Sequence, residues 1–153
     1  MTPAMADRVT RQVVEELYEE ALLLADEARL AFDLRGQDPQ PGAHDQARIA
    51  LSIEGMRTTT RLMNLLAWLL NQRAYLAGEI TAAQLRVGGA LASDRPSDPV
   101  QMAMLQPATR ALIRESERLF ARADRLDSQM RSPDALGPAR QLQGRLTSAF
   151  AAR

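Results

Sequence analysis

Three stretches of this chain place apolar residues at alternating steps of three and four, and that spacing leaves few folds open. In the first, Val14, Leu17, Ala21, Leu24, Ala28 and Ala31 follow one another at steps of 3, 4, 3, 4 and 3. In the second, Ile49, Ile53, Met56, Thr60, Met63, Ala67, Leu70 and Ala74 do the same. In the third, the set is Leu112, Ser116, Leu119, Ala123, Leu126 and Met130. A heptad seam of this kind belongs to helices packed nearly parallel to their neighbours. The spacing predicts helices over about 7–34, 45–77 and 107–130. Strand signals are nearly missing: aromatics are 4% of the chain, and no β-branched run alternates between turns. The fold class expected is all-α, a three-helix bundle of long helices.

The second helix carries more apolar surface than one seam. Leu62, Leu66, Leu69 and Leu76 lie beside the first set, and Leu65 and Trp68 fill most of the remaining circumference. A helix apolar nearly all round is a central one. Two partners within the chain do not obviously cover it, so a second subunit is expected. Asn64 and Asn71 share a face of this helix; such amides either fix register when buried or are simply exposed. The candidate dimer or partner face is Asn64, Leu65, Trp68 and Asn71.

Breakers divide the chain. Gly36, Pro39, Pro41 and Gly42 make 35–43 a linker that is expected to be mobile. Gly78 ends the second helix, Thr81 caps a short element, and 93–99 is a loop; 100–105 is apolar and fits helix or loop. Pro107 opens the third helix. Pro133, Gly137 and Pro138 separate a tail, 131–153, from a bundle domain over 1–130. The tail is expected to be partly disordered, either flexible or loosely docked. Within it Leu142, Leu146 and Phe150, with Arg140 and Arg145, form an amphipathic pattern. This reads as a segment that folds on a partner, or as a helix docked on its own bundle.

With 153 residues the chain holds one ordinary domain. It has no cysteine, which excludes disulfides, thiolate catalysis and thiolate-bound metals. All 19 basic residues are arginine, so lysine nucleophiles are excluded as well. No Gly-rich phosphate loop, nucleophile elbow or paired-histidine metal motif occurs. The single histidine, His44, is expected in the linker as a solvated side chain. The carboxylates of the first helix lack the Glu-x-x-His partners of a di-iron bundle. No enzyme, metal or cofactor is expected. Net charge is zero, which favours neither nucleic acid nor an anionic membrane. The longest apolar run, 62–70, is about half the ~20 residues of a spanning helix, so no membrane insertion is expected.

Charge is segregated. Residues 7–45 hold 10 acids against 4 arginines, and the rest of the chain holds 9 against 15. Arg110, Arg114, Arg118 and Arg122 form a ladder of like charge. The acidic first helix is expected beside it, within a subunit or across an interface.

The string Met56-Arg57-Thr58-Thr59-Thr60-Arg61-Leu62-Met63 is the most specific in the chain. With Ala67-Trp68-Leu69-Leu70-Asn71-Gln72-Arg73-Ala74 and Gly78-Glu79-Ile80, it resembles the RcdA family. Leu17-Tyr18-Glu19-Glu20-Ala21, Ser116-Glu117-Arg118-Leu119-Phe120 and Leu126-Asp127 are similar to that family's first and last helices. The resemblance implies a dimeric three-helix bundle that is not an enzyme. It implies an adaptor that helps a ClpXP-type protease degrade cell-cycle regulators such as CtrA. The implied partners are a ClpX-type unfoldase with its priming response regulator, a cyclic-di-GMP-binding adaptor and a cargo transcription factor. The implied location is cytoplasmic, gathering at the cell pole. The tail matches the family's functional tail in position only. Its candidate partner-binding residues, Arg140, Leu142, Arg145, Leu146 and Phe150, come from the amphipathic pattern. A scaffolding helical dimer with no direct protease role is the alternative.

Overall fold

The structure is a computed structural model, and it describes residues 3–33 and 44–132. Five helices appear in chain order: α1 Pro3–Ala31, α2 His44–Leu76, α3 Ala82–Gly88, α4 Pro99–Ala103 and α5 Pro107–Arg131. Among the described residues there is no strand. His44, expected in the linker, is the first residue of α2. The 100–105 stretch, open between helix and loop, is α4 and the turn after it. Asp98 caps α4, its Oδ1 accepting from the Val100 and Gln101 amides.

α2 is the central element and packs against all four others. α1 lies antiparallel to it, with Arg73 beside Glu15 and Phe32 beside Gly55. α5 runs parallel to α2, since Arg61 meets Ser116 and Trp68 meets Asp127. The main core joins Val14, Leu17, Ala21, Leu24 and Ala28 of α1 to α2 and to Leu112, Leu119, Phe120 and Ala123 of α5. The α1 seam expected from the spacing is therefore the buried one. Its alanines let the α1 backbone approach α2 closely. One of the expected charge contacts between α1 and the α5 ladder is present, and α2 supplies another that the sequence did not announce. Arg122 of the α5 ladder pairs with Glu20 at 2.7 Å. Arg73 of α2 pairs with Glu15 at 2.9 Å and stacks on the Tyr18 ring, its carbon 4.1 Å from the centroid. The Glu15 hydrogen bond raises the Arg73 pKa, against a smaller opposing desolvation.

Helix ends follow local chemistry. Gly78, at φ 78°, closes α2 with a Schellman pair, the Glu79 amide bonding to Ala74 O and the Gly78 amide to Tyr75 O. Thr81 and Gln84 form a capping box at α3.

Gly55 stands in the middle of α2, where glycine costs about 1 kcal/mol relative to alanine. The reason is Phe32, whose ring carbon would lie 2.8 Å from a β-carbon at that position. Gly55→Ala is expected to lower stability by about 1–2 kcal/mol despite the better helix propensity, because overpacking of this kind costs ~1–3 kcal/mol. Urea unfolding of the variant measures this, and a stabilised variant would refute the packing account.

Candidate interaction surface

The second helix departs from the sequence reading in which face it buries. Ile49, Met56, Met63 and Leu70 were expected to face the bundle, yet they are 58%, 69%, 65% and 48% exposed. The buried face instead runs Ala50, Glu54, Gly55, Thr58, Arg61, Leu62, Leu65, Trp68, Leu69 and Gln72, which takes in Leu62 and Leu69 of the second apolar set. Four of these ten carry polar or charged side chains, and apolar spacing alone passes over them.

Two of these buried polar residues, Arg61 and Glu54, hold down the segment between α3 and α4, whereas Thr58 Oγ1 and Gln72 Oε1 are buried without a hydrogen-bond partner among the described residues. Arg61 is buried, and all three of its nitrogens donate. Nε bonds to Asp94 Oδ2 at 2.8 Å, Nη1 to Ser116 Oγ at 2.9 Å and Nη2 to the Arg95 carbonyl at 2.9 Å. Glu117 is a further ion partner at 3.4 Å, and it accepts from the Ser97 amide and hydroxyl. Glu54, also buried, accepts from the Asp98 amide at 3.1 Å and from Arg57. At the other end Asp127 accepts from Trp68 Nε1 at 3.1 Å, the Leu91 amide at 3.2 Å and Arg131 Nε at 2.7 Å. Arg131 also reaches the Gly89 carbonyl at 2.7 Å. These groups form a strap that ties 89–98 across α2 and α5. A buried guanidinium is tolerable only with such complete pairing. Within the unusual 57–61 string, the strap accounts for Arg61 and Arg57 pairs with Glu54, while Thr58 faces inward and Thr59 and Thr60 face out.

Trp68→Phe is expected to cost about 1–2 kcal/mol. It leaves the apolar packing largely in place and removes one charge-assisted hydrogen bond to a buried carboxylate. Thermal unfolding checks the size, and a loss below ~0.5 kcal/mol would show Asp127 to be satisfied without Trp68.

This geometry corrects half of the expected partner face. Leu65 and Trp68 are 0% and 4% exposed and belong to the chain's own core. Their apolar character reflects the bundle, not a partner. Asn71 points at α3, its Nδ2 2.8 Å from where a β-carbon on Gly88 would sit. Asn64 is half-buried and lines a groove of about 410 Å³ between α2 and the strap, with Ile53, Met56, Thr60, Asp94 and Arg95. That groove adjoins the outward stripe. The tail residues Arg140, Leu142, Arg145, Leu146 and Phe150 lie outside the described residues.

What remains outward on α2 is one continuous stripe. Ile49, Met56, Met63 and Leu70 recur every seven residues, and exposed Thr60 and Ala67 stand between them. It runs for about 32 Å at 1.5 Å per residue. An exposed apolar stripe of this length is a candidate contact surface for a helix or another hydrophobic partner. Among the described residues, no cluster of three or more His, Asp or Glu is placed to hold a metal ion. No described helix is long and apolar enough to cross a membrane.

No curated protein and no solved structure matches the chain. One family model covers residues 5–150, nearly the whole chain. On that match, the chain belongs to the family described as protein of unknown function DUF1465.

Proposed function

We propose that this chain is a non-enzymatic, dimeric adaptor in regulated proteolysis, helping to bring cell-cycle regulators such as CtrA to a ClpXP-type protease. The observation that carries the reading is the outward stripe of α2, Ile49, Met56, Met63 and Leu70. Its seven-residue repeat fits a second helix, and a second copy of the chain supplies an identical one across a two-fold axis. The resemblance of 56–63, 67–74 and 78–80 to RcdA regulators adds the protease connection. The buried charges of α2 and α5 support a binding role in a further way. They are consumed in closing the fold, which leaves the outer surfaces for partners. In this reading the partners are a ClpX-type unfoldase with its priming response regulator, a cyclic-di-GMP-binding adaptor and a cargo transcription factor.

A reconstituted degradation assay tests the proposal. Protease, priming regulator and cargo are mixed, and the chain is titrated in. Cargo half-life is expected to shorten with the chain present. An unchanged half-life across the titration overturns the adaptor role. If the chain is nonetheless dimeric, the scaffolding reading takes its place.

A further inference from the structure

We infer that the outer face of α1 is the docking surface for this chain's own segment 139–150. The argument begins with helix geometry. At about 100° per residue, Glu19, Leu23 and Leu30 lie on the side of α1 opposite Val14, Leu17, Ala21, Leu24 and Ala28. Leu23 is 67% exposed and Leu30 73%. Exposed leucines taken singly are ordinary on a protein surface. Their surroundings set these two apart. Glu19, Asp26 and Glu27 flank them, and none of the three has a hydrogen bond or ion pair to another described residue. Their neighbours Glu15 and Glu20, turned toward the bundle, are paired with Arg73 and Arg122. The outer face of α1 is thus apolar along its middle, with Glu19, Asp26 and Glu27 around it and one exposed base, Arg29, at its edge.

The segment 139–150 carries the complement. Leu142, Leu146 and Phe150 recur at every fourth residue, Arg140 and Arg145 are its only charged residues, and it has no acid. As a helix it would spread those apolar groups over about 12 Å, and Leu23 and Leu30 are about 10.5 Å apart along α1. A helix of this length is marginal in isolation and needs a surface to form on. The other long helices suit it less. The α2 stripe has Arg57 and Arg73 beside it, and the outer side of α5 carries Arg114, Arg118 and Arg125. Arg114 and Arg125, which have no ion partner among the described residues, repel Arg140 and Arg145; Arg57, Arg73 and Arg118 already have their partners in Glu54, Glu15 and Glu115 and offer the segment no attraction.

The chain is long enough to make the connection. α5 is antiparallel to α1, and Arg122 is level with Glu20. Arg131 therefore lies about 14 Å from that level, toward the start of α1, and Leu23 about 4 Å on the other side. The seven residues 132–138 span at most about 24 Å. That covers the axial distance of about 18 Å and the step around α1. A docked segment hides Leu142, Leu146 and Phe150 from other proteins, so a partner of the tail must displace it from α1. The inference does not depend on the protease reading.

The test uses the full chain, which has no native cysteine. A nitroxide is attached through Ser148→Cys, on the polar side of the segment, and amide signals are compared before and after its reduction. The nitroxide is expected to reduce the Leu23 and Leu30 intensities at least fivefold and to leave 56–70 unchanged. Raising salt from about 50 to 500 mM should recover at least half of the loss, because the rim charges are exposed and screened. Leu23→Glu with Leu30→Glu should abolish the effect; both sites are exposed, and circular dichroism confirms the helices. Glu19→Arg with Glu27→Arg should abolish it too, and Arg140→Glu with Arg145→Glu should restore it. No broadening on α1, or broadening centred on α2, overturns the inference. Broadening that also appears on isotope-labelled chains lacking the nitroxide, mixed with unlabelled nitroxide-bearing chains, places the segment on a second copy and overturns docking within one chain.

Discussion

Arg61→Ala is expected to lower the stability of this domain by about 3 kcal/mol, more than any other single substitution of a charged residue. The side chain is fully buried, and its three nitrogens bond to Asp94, Ser116 and the Arg95 carbonyl. Truncation removes those bonds and leaves a cavity between α2 and α5. It also releases 94–97, which Arg61 holds from within. Breaking a buried charge cluster by removing one member costs ~3–5 kcal/mol. The lower end applies here, because Asp94 and Glu117 are partly exposed and regain water. Against a total of about 5–15 kcal/mol, this is a large fraction. In urea the midpoint should fall by about 1–3 M, given slopes of ~1–3 kcal/mol/M.

Two companion variants identify the cause. Arg61→Met fills the space without the charge and should recover part of the loss, though 94–97 stays untethered. Arg61→Lys keeps the charge, but one compact ammonium does not reach Asp94, Ser116 and the Arg95 carbonyl together, so it should remain well below wild type. Limited proteolysis should then cut between residues 92 and 98 in all three variants and not in Arg57→Ala. Arg57 is partly exposed and pairs only with Glu54, so that substitution should cost under ~1 kcal/mol. Equal stability of Arg61→Ala and wild type would show that the strap closes without its central residue.

The contrast between α1 and α2 shows what the sequence can and cannot reveal. In α1 the buried positions are all apolar, so a search for apolar residues at steps of three and four finds the core face directly. In α5 the same search works as far as Ala123, because Ser116 is small and returns its hydroxyl to Ile113 O at 2.6 Å; beyond it Met130 is exposed and the buried position is Asp127. In α2 the main seam selects the wrong face, although the set beside it, Leu62, Leu66, Leu69 and Leu76, lies on the packed side. The inward stripe includes Glu54, Thr58, Arg61 and Gln72, and the outward stripe is the more apolar of the two. Burial of Arg61 follows from partners 33 to 56 residues away in the chain, at Asp94, Ser116 and Glu117. Periodicity within one helix carries no information about them. One signal was available: Glu54, Arg61 and Trp68 also recur every seven residues, beside the apolar set. Leu65 and Trp68 misled in the opposite direction. Their size suggested a partner surface, but they are the part of the inward stripe that is apolar. The candidate interaction surface was legible as an excess of apolar residues on one helix. Its position was not.

That outward stripe carries the second large effect. Met56→Glu with Met63→Glu is expected to convert the proposed dimer into monomers without unfolding the chain. Both methionines are well exposed in the single chain, so the charges meet water there and the fold loses little. In the dimer a two-fold axis repeats each substitution, so four side chains change at one interface. Burying a methionine contributes about 1.5–3 kcal/mol, and placing carboxylates against one another adds repulsion. Even with partial burial the loss is about 4 kcal/mol or more, a roughly thousandfold weaker association. Sedimentation equilibrium should show a dimer for the native chain and a monomer for the variant at the same concentration. Circular dichroism should show the same helix content in both. Met63→Leu keeps volume and apolar character and should leave the dimer intact. A native chain that is monomeric at tens of micromolar, or a doubly substituted chain that stays dimeric, removes α2 as the dimer face. In the degradation assay the outcome separates two uses of the same stripe. A monomeric variant that still accelerates cargo loss places delivery on another surface. A variant that has lost both functions ties delivery to the dimer.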